Sequence, residues 1–223
     1  MNHNPHRATA RELAAAHLQQ GDPLGWFDAL YRKADGQAAV IPWADLRPNP
    51  NFVEWLSAAT LSPRQALVIG CGLGDDAELL ASLGWSVVAF DISAAAIRWA
   101  RERFGQSQVD YRVVDLFDAP GNWRRQFDLV VEAYTLQVLP SALRAQAIPL
   151  IGEWVSVGGL LCVIARGRSE SDPLGQMPWP LTEREVRSFA TAGLECKTFE
   201  DYMDREEPAV RRFRALFSRP REG

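Results

Sequence analysis

Strand-length apolar segments alternate with helical segments over residues 66–167, and this alternation restricts the fold more than any other feature of the sequence. The strand segments read ALVIG, SVVAFD, DYRVVD, FDLVVEAY and GGLLCVIARG. The helical segments among them read DDAELLASL, SAAAIRWARERF and ALRAQAIPLIGEWV. Such alternation is typical of a parallel sheet that is covered by helices on both faces. It predicts an α/β fold.

The end of the sequence changes this pattern. After a helical segment, TEREVRSFATA, the segments GLECKTFEDYM and PAVRRFRALF follow as two strands with a short connection. Strands joined by a short hairpin run antiparallel. We therefore predict a Rossmann-like sheet of seven strands, mostly parallel, with an antiparallel last strand.

The residues before the first strand are helical and rich in aromatic side chains. Residues 8–34 predict two helices, and the second carries Trp26 and Tyr31 on one face. A loop with several prolines and a short helix, FVEWLSAA, come next. We predict one compact domain with an N-terminal helical aromatic cap at residues 1–62 and a core at residues 63–223.

Composition limits the partners of such a domain. The chain has 223 residues, enough for one well-formed core, and its net charge of −4 provides no attraction to nucleic acid or to an anionic membrane. Cys71, Cys162 and Cys196 are far apart and predict neither a disulfide framework nor a metal site. The sequence shows no secretion signal and no apolar run of membrane-spanning length. We expect a cytoplasmic protein that binds a small molecule, and the sequence leaves its oligomeric state open.

The turn after the first strand, VIGCGLGDD, is rich in glycine and predicts a ligand site. It lacks the Gly-Lys-Ser/Thr sequence of a triphosphate-binding loop. A dinucleotide fingerprint would have its third glycine at the position of Asp75. Asp75 and Asp76 suit the start of a helix, where they would repel a pyrophosphate. The turn therefore predicts a ligand without phosphates.

Two acidic residues end neighbouring strands. Asp91 closes SVVAFD, where a carboxylate can accept hydrogen bonds from both ribose hydroxyls of a nucleoside. The alternative is that Asp91 caps the next helix. Asp115 closes YRVVD at the same edge of the sheet and can meet an adenine amino group, or it can be an ordinary loop aspartate.

In order and spacing, VIGCGLG, VVAFDIS, VVDLFD, FDLVVEAY and GGLLCVIARG resemble the class I S-adenosylmethionine-dependent methyltransferases, over about residues 64–218. The resemblance implies S-adenosyl-L-methionine as the cofactor. The turn glycines would border its methionine part, the first acid would hold the ribose, and the second acid and two apolar side chains would contact the adenine. The residues in these roles are Gly70, Gly72, Gly74, Asp91, Asp115, Ile92 and Leu116.

The aromatic cap is similar to that of the thiopurine, thiol/halide and tellurite methyltransferase branch. That similarity implies a lid formed by Trp26, Tyr31 and Trp43 over cofactor and acceptor. The alternative is that these side chains pack an amphipathic helix onto the domain. The loop GRSESDPLGQMPWPLT predicts a second part of the lid, with Met177 and Trp179 as apolar walls.

The acceptor requires a general base only if it arrives protonated. All three histidines precede residue 18, which disfavours a histidine base. The candidate bases are Glu132 and Tyr134, at the carboxyl end of the fourth strand, and Glu132 can instead be a cofactor or loop contact.

These features favour methyl transfer to a small soft or anionic nucleophile: a thiol, a halide or a chalcogen oxyanion. One alternative is an O- or N-methyltransferase of a metabolite, with Glu132 or Tyr134 as the base. Another is a non-catalytic module that binds S-adenosylmethionine.

Overall fold

The computed structural model describes residues 5–221, and its centre is one seven-stranded sheet. The strands are β1 Gln65–Ile69, β2 Ser86–Asp91, β3 Asp110–Val113, β4 Phe127–Ala133, β5 Val155–Arg166, β6 Glu195–Met203 and β7 Arg211–Ser218. Their order is β3-β2-β1-β4-β5-β7-β6. β1 to β5 run parallel, and β7 is antiparallel to both of its neighbours. The predicted fold class, with its antiparallel last strand, is confirmed.

Helices cover both faces of the sheet. The helices of the described chain are α1 Pro5–Gln19, α2 Gly25–Ala34, α3 Pro50–Ala58, α4 Asp75–Ser82, α5 Ala94–Arg103, α6 Ser141–Trp154 and α7 Glu183–Arg187. α3, α4 and α5 pack on one face, and α6 and α7 pack on the other. Within residues 5–221, every helix is too short or too polar to cross a membrane.

The apolar pattern of the strands produces these two layers. In β1, Leu67 and Ile69 face the α6 side, whereas Ala66 and Val68 face the α4 side. Successive side chains of a strand point to opposite faces, so a continuous apolar run supplies both layers.

α1 and α2 form a third apolar cluster above the carboxyl ends of the strands. Their side chains pack on Leu73 of the glycine-rich turn and on Met177 of the loop after β5. Asp28 of α2 also accepts hydrogen bonds from Ser93 Oγ (2.8 Å) and Ala95 N (3.0 Å) at the start of α5. The cap is therefore attached to the edge of the sheet where a ligand is expected.

One predicted helix is shorter in the structure. The segment TEREVRSFATA forms α7 and then a 3₁₀ turn at Ser188–Ala192. Ser188 Oγ donates to the carbonyl of Glu185 (2.6 Å), and Thr191 Oγ1 donates to that of Ser188 (2.7 Å). Such side-chain bonds compete with the regular helical pattern.

Candidate functional site

A cavity of about 540 Å³ lies between the cap and the carboxyl ends of the strands. Its volume and its position are those expected of a ligand site in an open α/β sheet. The predicted site residues that line it are Gly70, Gly72, Asp91, Ile92, Asp115, Leu116, Tyr31, Trp43, Tyr134 and Met177. Four others, Gly74, Trp26, Glu132 and Trp179, are not part of its wall.

The glycine-rich turn brings main chain directly to the cavity. Gly70 and Gly72 have positive φ angles of 56° and 53°, a conformation that favours glycine. A Cβ atom on Gly70 would lie 2.4 Å from Thr135 Oγ1, and one on Gly72 would lie 2.9 Å from the Tyr31 hydroxyl. The turn therefore needs these two glycines both for its backbone and for the close approach of the Thr135 and Tyr31 side chains at the cavity wall.

Gly74 has a different role. It precedes α4 with a φ of 92°, and a Cβ atom there would lie 2.2 Å from the Tyr111 hydroxyl oxygen. The structure assigns Gly74 to the close packing of α4 against β3, away from the cavity wall. This placement argues against the predicted contact between Gly74 and the methionine part of the cofactor.

Asp91 is buried at the end of β2 and faces the cavity. Its Oδ1 accepts a hydrogen bond from Ser93 N (2.9 Å), and its Oδ2 accepts one from Gly72 N (3.0 Å). Burial raises the pKa of this carboxyl to about 6, against the opposing effect of the two N–H donors. Two hydroxyl donors from a ribose would stabilise the charged form further.

Asp115 lies one strand farther along the same edge. Its Oδ1 accepts from Phe117 N (2.9 Å) and starts a 3₁₀ turn at Leu116–Asp118. Leu116 and, from the end of β2, Ile92 line the cavity beside it. A carboxylate between apolar side chains suits a flat ring that carries an amino group.

The predicted lid residues separate into two layers. Tyr31 and Trp43 line the cavity, and Trp43 Nε1 donates to the Tyr31 hydroxyl (2.9 Å). Trp26 lies behind them, almost fully buried, with its ring edge-on to Trp43 at 6.0 Å and stacked on Phe27 at 4.0 Å. Trp26 therefore packs behind Trp43 and outside the cavity, as the packing alternative describes.

The loop after β5 also contributes unequally. Met177 lines the cavity, and its carbonyl accepts a hydrogen bond from Arg11 Nε (2.7 Å). Trp179 packs against the cap cluster, and its backbone N–H donates to the carbonyl of Gln137 (2.6 Å). Met177 is placed to contact a ligand, whereas Trp179 anchors the loop.

Tyr134 is held firmly at the end of β4. Its φ of 69° is unusual for a bulky residue, and such backbone outliers are concentrated at functional sites. Asn51 Nδ2 donates to its hydroxyl (3.0 Å), and the Arg212 guanidinium lies 4.7 Å from its ring centre. Burial raises the pKa of Tyr134. At neutral pH its hydroxyl is therefore a hydrogen-bond donor rather than a base.

Glu132 lies behind the cavity wall and is fully buried. Its Oε1 accepts from Leu136 N (2.9 Å), and its Oε2 has no hydrogen-bond partner among residues 5–221. Burial raises its pKa to about 7, although nearby N–H groups and Arg144 act in the opposite direction. This position argues against Glu132 as the general base and agrees with the alternative of a loop contact.

The buried carboxyl of Glu132 makes stability depend on pH. The pKa of Glu132 in the folded protein exceeds its ordinary value of 4.5, so the folded state holds this proton more tightly than the unfolded state. The contribution of this proton to the free energy of unfolding is therefore complete at low pH and is lost as pH rises through about 7. The shift in pKa corresponds to a loss of about 3 kcal/mol in the free energy of unfolding. We expect Glu132→Gln, which keeps the acceptor for Leu136 N–H, to reduce the fall in Tm between about pH 5 and about pH 8.

Calorimetry of the two proteins across this range measures the difference. Glu102→Gln is the matched control, since Glu102 is exposed on α5. We expect the control to keep the wild-type slope. A wild-type slope in Glu132→Gln as well would contradict the assignment.

Sequence reasoning missed Asn49, Asn51 and Arg166, and it gave Asp76 no contact with the ligand. Asp76 lines the cavity, and its Oδ1 accepts from Asn49 N (2.7 Å). Burial raises the pKa of Asp76 to about 6. Asp75 also lines the cavity, but its carboxylate forms a two-pronged ion pair with Arg103 (both contacts 2.8 Å). The two acids of the turn thus differ in their partners.

The histidines and metal ligands give no further candidates. Neither His6 nor His17 lines the cavity, and His17 Nδ1 lies 3.0 Å from Asp22 Oδ2. His3 lies outside the described residues. In the described part of the chain, no three His, Cys, Asp or Glu side chains converge as a metal site would require.

Comparison with known proteins identifies the domain type. Residues 66–159 match the family described as a methyltransferase domain. Thiocyanate methyltransferase 1 of Brassica oleracea is 38% identical over 68 residues, which is 30% of this chain and 30% of that protein. A ubiquinone biosynthesis O-methyltransferase of Xanthomonas campestris pv. campestris is 33% identical over 148 residues, 64% of this chain and 58% of that one. The matches thus span 30% to 58% of the curated relatives' length.

A solved structure shares the fold over most of the chain. It comes from work on the conversion of a disulfide bond into a thioacetal group during echinomycin biosynthesis. The two chains are 20% identical with a TM-score of 0.73, and the match covers 88% of this chain and 93% of that one. The predicted resemblance is confirmed: residues 66–159 match a methyltransferase domain, and the chain shares the fold of solved S-adenosylmethionine-dependent methyltransferases.

Proposed function

We propose that the chain binds S-adenosylmethionine in this cavity and transfers its methyl group to a small soft or anionic nucleophile. The cofactor half of the cavity supports the first part. It combines main chain without side chains at Gly70 and Gly72, the ribose acceptor Asp91, and the adenine contacts Asp115 and Leu116. No phosphate-binding group is needed for such a ligand.

Asp76 extends this proposal. Its carboxylate lines the cavity beside the glycine-rich turn, and Oδ1 is its hydrogen-bonded oxygen. A cationic sulfonium or ammonium group next to the half-buried Asp76 would provide a counter-charge for its carboxylate. We assign Asp76 to the methionine end of the cofactor.

When bound, the cofactor supplies an electrophilic methyl carbon for in-line displacement. The chain's own contribution is alignment and the exclusion of water, which can account for most of the rate. Tyr31 and Trp43 cover the cavity, and the Tyr134 hydroxyl, fixed by Asn51, offers a hydrogen bond near the end of β4. Each of these groups is held by packing or by a hydrogen bond.

The burial of Glu132 is the observation that carries the acceptor class. Without Glu132 as a base, and with Tyr134 protonated at neutral pH, an acceptor that arrives already ionised is favoured. Asp45, Glu206 and Glu207 also line the cavity, but all three are exposed to solvent, and Glu206 is paired with Arg212. The name of the relative thiocyanate methyltransferase 1 agrees with a soft acceptor.

Calorimetry with S-adenosylhomocysteine and a labelled-methyl assay test this function. We expect transfer to thiocyanate, iodide or a small thiol, with a thiocyanate rate that is nearly independent of pH above about pH 7. Tyr134→Phe should keep most of that rate, because no proton is removed from thiocyanate.

Two outcomes would replace the proposal. Transfer confined to a phenol, rising with pH and lost in Tyr134→Phe, would indicate an O-methyltransferase, as the name of the Xanthomonas relative suggests. Tight binding of S-adenosylhomocysteine without transfer to any acceptor would indicate a non-catalytic binding module.

A further inference from the structure

The cavity wall contains several arginines with different surroundings. They are Arg7, Arg11, Arg47, Arg166 and Arg212. Arg212 is buried and bonded to Asp204 Oδ2 (2.6 Å) and Glu206 Oε1 (2.5 Å). Arg11 donates to the carbonyl of Met177. Both therefore have partners that fix their side chains.

Arg166 has a fixed main chain and an unengaged side chain. Its N–H donates to Gln137 Oε1 (2.7 Å), and its carbonyl accepts from Leu181 N (2.8 Å). The guanidinium forms no hydrogen bond or ion pair with any residue in the described range 5–221. A half-buried guanidinium with all its N–H donors free is costly to desolvate unless a ligand supplies acceptors.

The charges around Arg166 are predominantly positive. Burial lowers its pKa, and the neighbouring charges of Arg212 and Arg7 lower it further, whereas Glu206 and Tyr134 act in the opposite direction. Arg212 already engages Glu206 together with Asp204. Both of these carboxylates are thus bonded to Arg212, and neither is bonded to the Arg166 guanidinium.

The position of Arg166 separates it from the proposed cofactor contacts. It ends β5, and β4 lies between β5 and β1 in the sheet. Since neighbouring strands are about 4.8 Å apart, its main chain lies about 10 Å from the end of β1 and the glycine-rich turn. On its other side Arg166 pairs in register with Arg212, whose guanidinium lies over the Tyr134 ring. Arg166 therefore belongs to the acceptor end of the cavity.

We propose that Arg166 forms an anion-binding subsite for the acceptor, and that it pairs with a carboxylate carried by a small thiol. The planar guanidinium matches the two oxygens of a carboxylate, and Arg7 adds positive potential at the same end. The proposal rests on the proposed function for the identity of the nucleophile. The pairing itself is a binding property and can be measured without turnover.

The experiment compares 3-mercaptopropionate with its uncharged methyl ester in wild type, Arg166→Gln and Arg166→Lys. Calorimetry measures binding of each thiol to the S-adenosylhomocysteine complex, and the labelled-methyl assay measures kcat and KM. We expect Arg166→Gln to weaken the binding of 3-mercaptopropionate about 10- to 100-fold and to raise its KM with little change in kcat. The affinity for the ester should change less than about threefold. Arg166→Lys should be intermediate, because it keeps the charge but not the planar fork.

Arg98→Gln on the outer face of α5 is the control for a change in net charge, since Arg98 is exposed and remote from the cavity. Equal losses for the acid and its ester would overturn the carboxylate assignment, as would no loss for either. Weaker binding of S-adenosylhomocysteine to Arg166→Gln would overturn it in favour of a cofactor contact. If Arg166 pairs with the thiolate instead of the carboxylate, Arg166→Gln should weaken binding of the ester at high pH as much as binding of 3-mercaptopropionate. That result would also overturn the carboxylate assignment.

The two proposals fail separately. Methyl transfer to thiols without any dependence on Arg166 would leave the proposed function intact and remove the subsite. Binding of 3-mercaptopropionate that depends on Arg166, with no transfer to any acceptor, would keep the subsite and remove the proposed function.

Discussion

Asp91→Asn is expected to weaken the binding of S-adenosylhomocysteine about 100-fold. A hydrogen bond to a charged group contributes about 1.5–3 kcal/mol, and about 1.4 kcal/mol is a tenfold change in affinity. The amide also sets an N–H₂ donor against the N–H of Gly72 or Ser93, both of which now donate to the carboxylate. The ribose contact and the turn that supports it are therefore weakened together.

The same residue gives the binding a pH dependence. Free Asp91 has a pKa raised to about 6, and ribose hydroxyl donors favour its charged form. Binding below this pH must release a proton, so affinity is expected to rise as pH increases through about 6 and then to level off. Asp76, with a pKa of about 6, acts in the same direction. In Asp91→Asn the remaining rise should be smaller.

Calorimetry across this pH range measures both effects. Asp110→Asn is the control, since Asp110 begins β3 with an exposed carboxylate that is paired with Arg112. We expect Asp115→Asn to be intermediate, because the amide oxygen can still accept from Phe117 N. An affinity of Asp91→Asn within threefold of wild type would refute the ribose assignment.

Gly74→Ala is expected to destabilise the fold by about 2–5 kcal/mol, which combines left-handed strain with overpacking. Its φ is 92°, and the new Cβ would lie 2.2 Å from the Tyr111 hydroxyl oxygen and 2.9 Å from the ring carbon that carries it. The ring cannot move freely, because its hydroxyl is bonded to Glu78 Oε1 (2.7 Å). Denaturant unfolding measures the loss.

A second substitution separates the two causes. Tyr111→Phe in the Gly74→Ala background removes the nearest atom, so we expect it to recover part of the overpacking loss and none of the backbone strain. Gly105→Ala is the control: its φ is ordinary, and a Cβ there would meet nothing within 4 Å. Equal stability of Gly74→Ala and Gly105→Ala would contradict the packing role of Gly74.

The sheet and the cofactor end were predictable because their signals are local. The apolar run of each strand, the glycine-rich turn and the acid that ends SVVAFD are each recognised from a few consecutive residues. Gly74 shows the limit of this reasoning, since its neighbour Tyr111 comes from another strand. A turn glycine near a ligand and one beside a helix have the same sequence signature.

The burial of Glu132 follows from the alternation of side chains along β4, whereas its carboxyl group made it a candidate base in the sequence. Val130 faces the buried α6 side of the sheet, and Glu132, two residues later on the same strand, points the same way. The acceptor end lacks such a local signal. Arg166, Asn51 and Arg212 meet there only because distant segments converge, and the sequence gives no sign of which charges are already paired.

The contact between the cap and α5 couples two equilibria. Asp28 accepts from Ser93 Oγ, and the N–H of Ser93 donates to Asp91. A ligand that bonds to Asp91 therefore binds to a segment, residues 91–93, that the docked cap helps to order. The two equilibria are linked by thermodynamic reciprocity. If docking of the cap raises the affinity for the ligand by some factor, binding of the ligand raises the equilibrium constant for docking by the same factor. Amide exchange in α2 should then slow when S-adenosylhomocysteine binds, so that the cap reports whether the ribose contact at Asp91 is occupied.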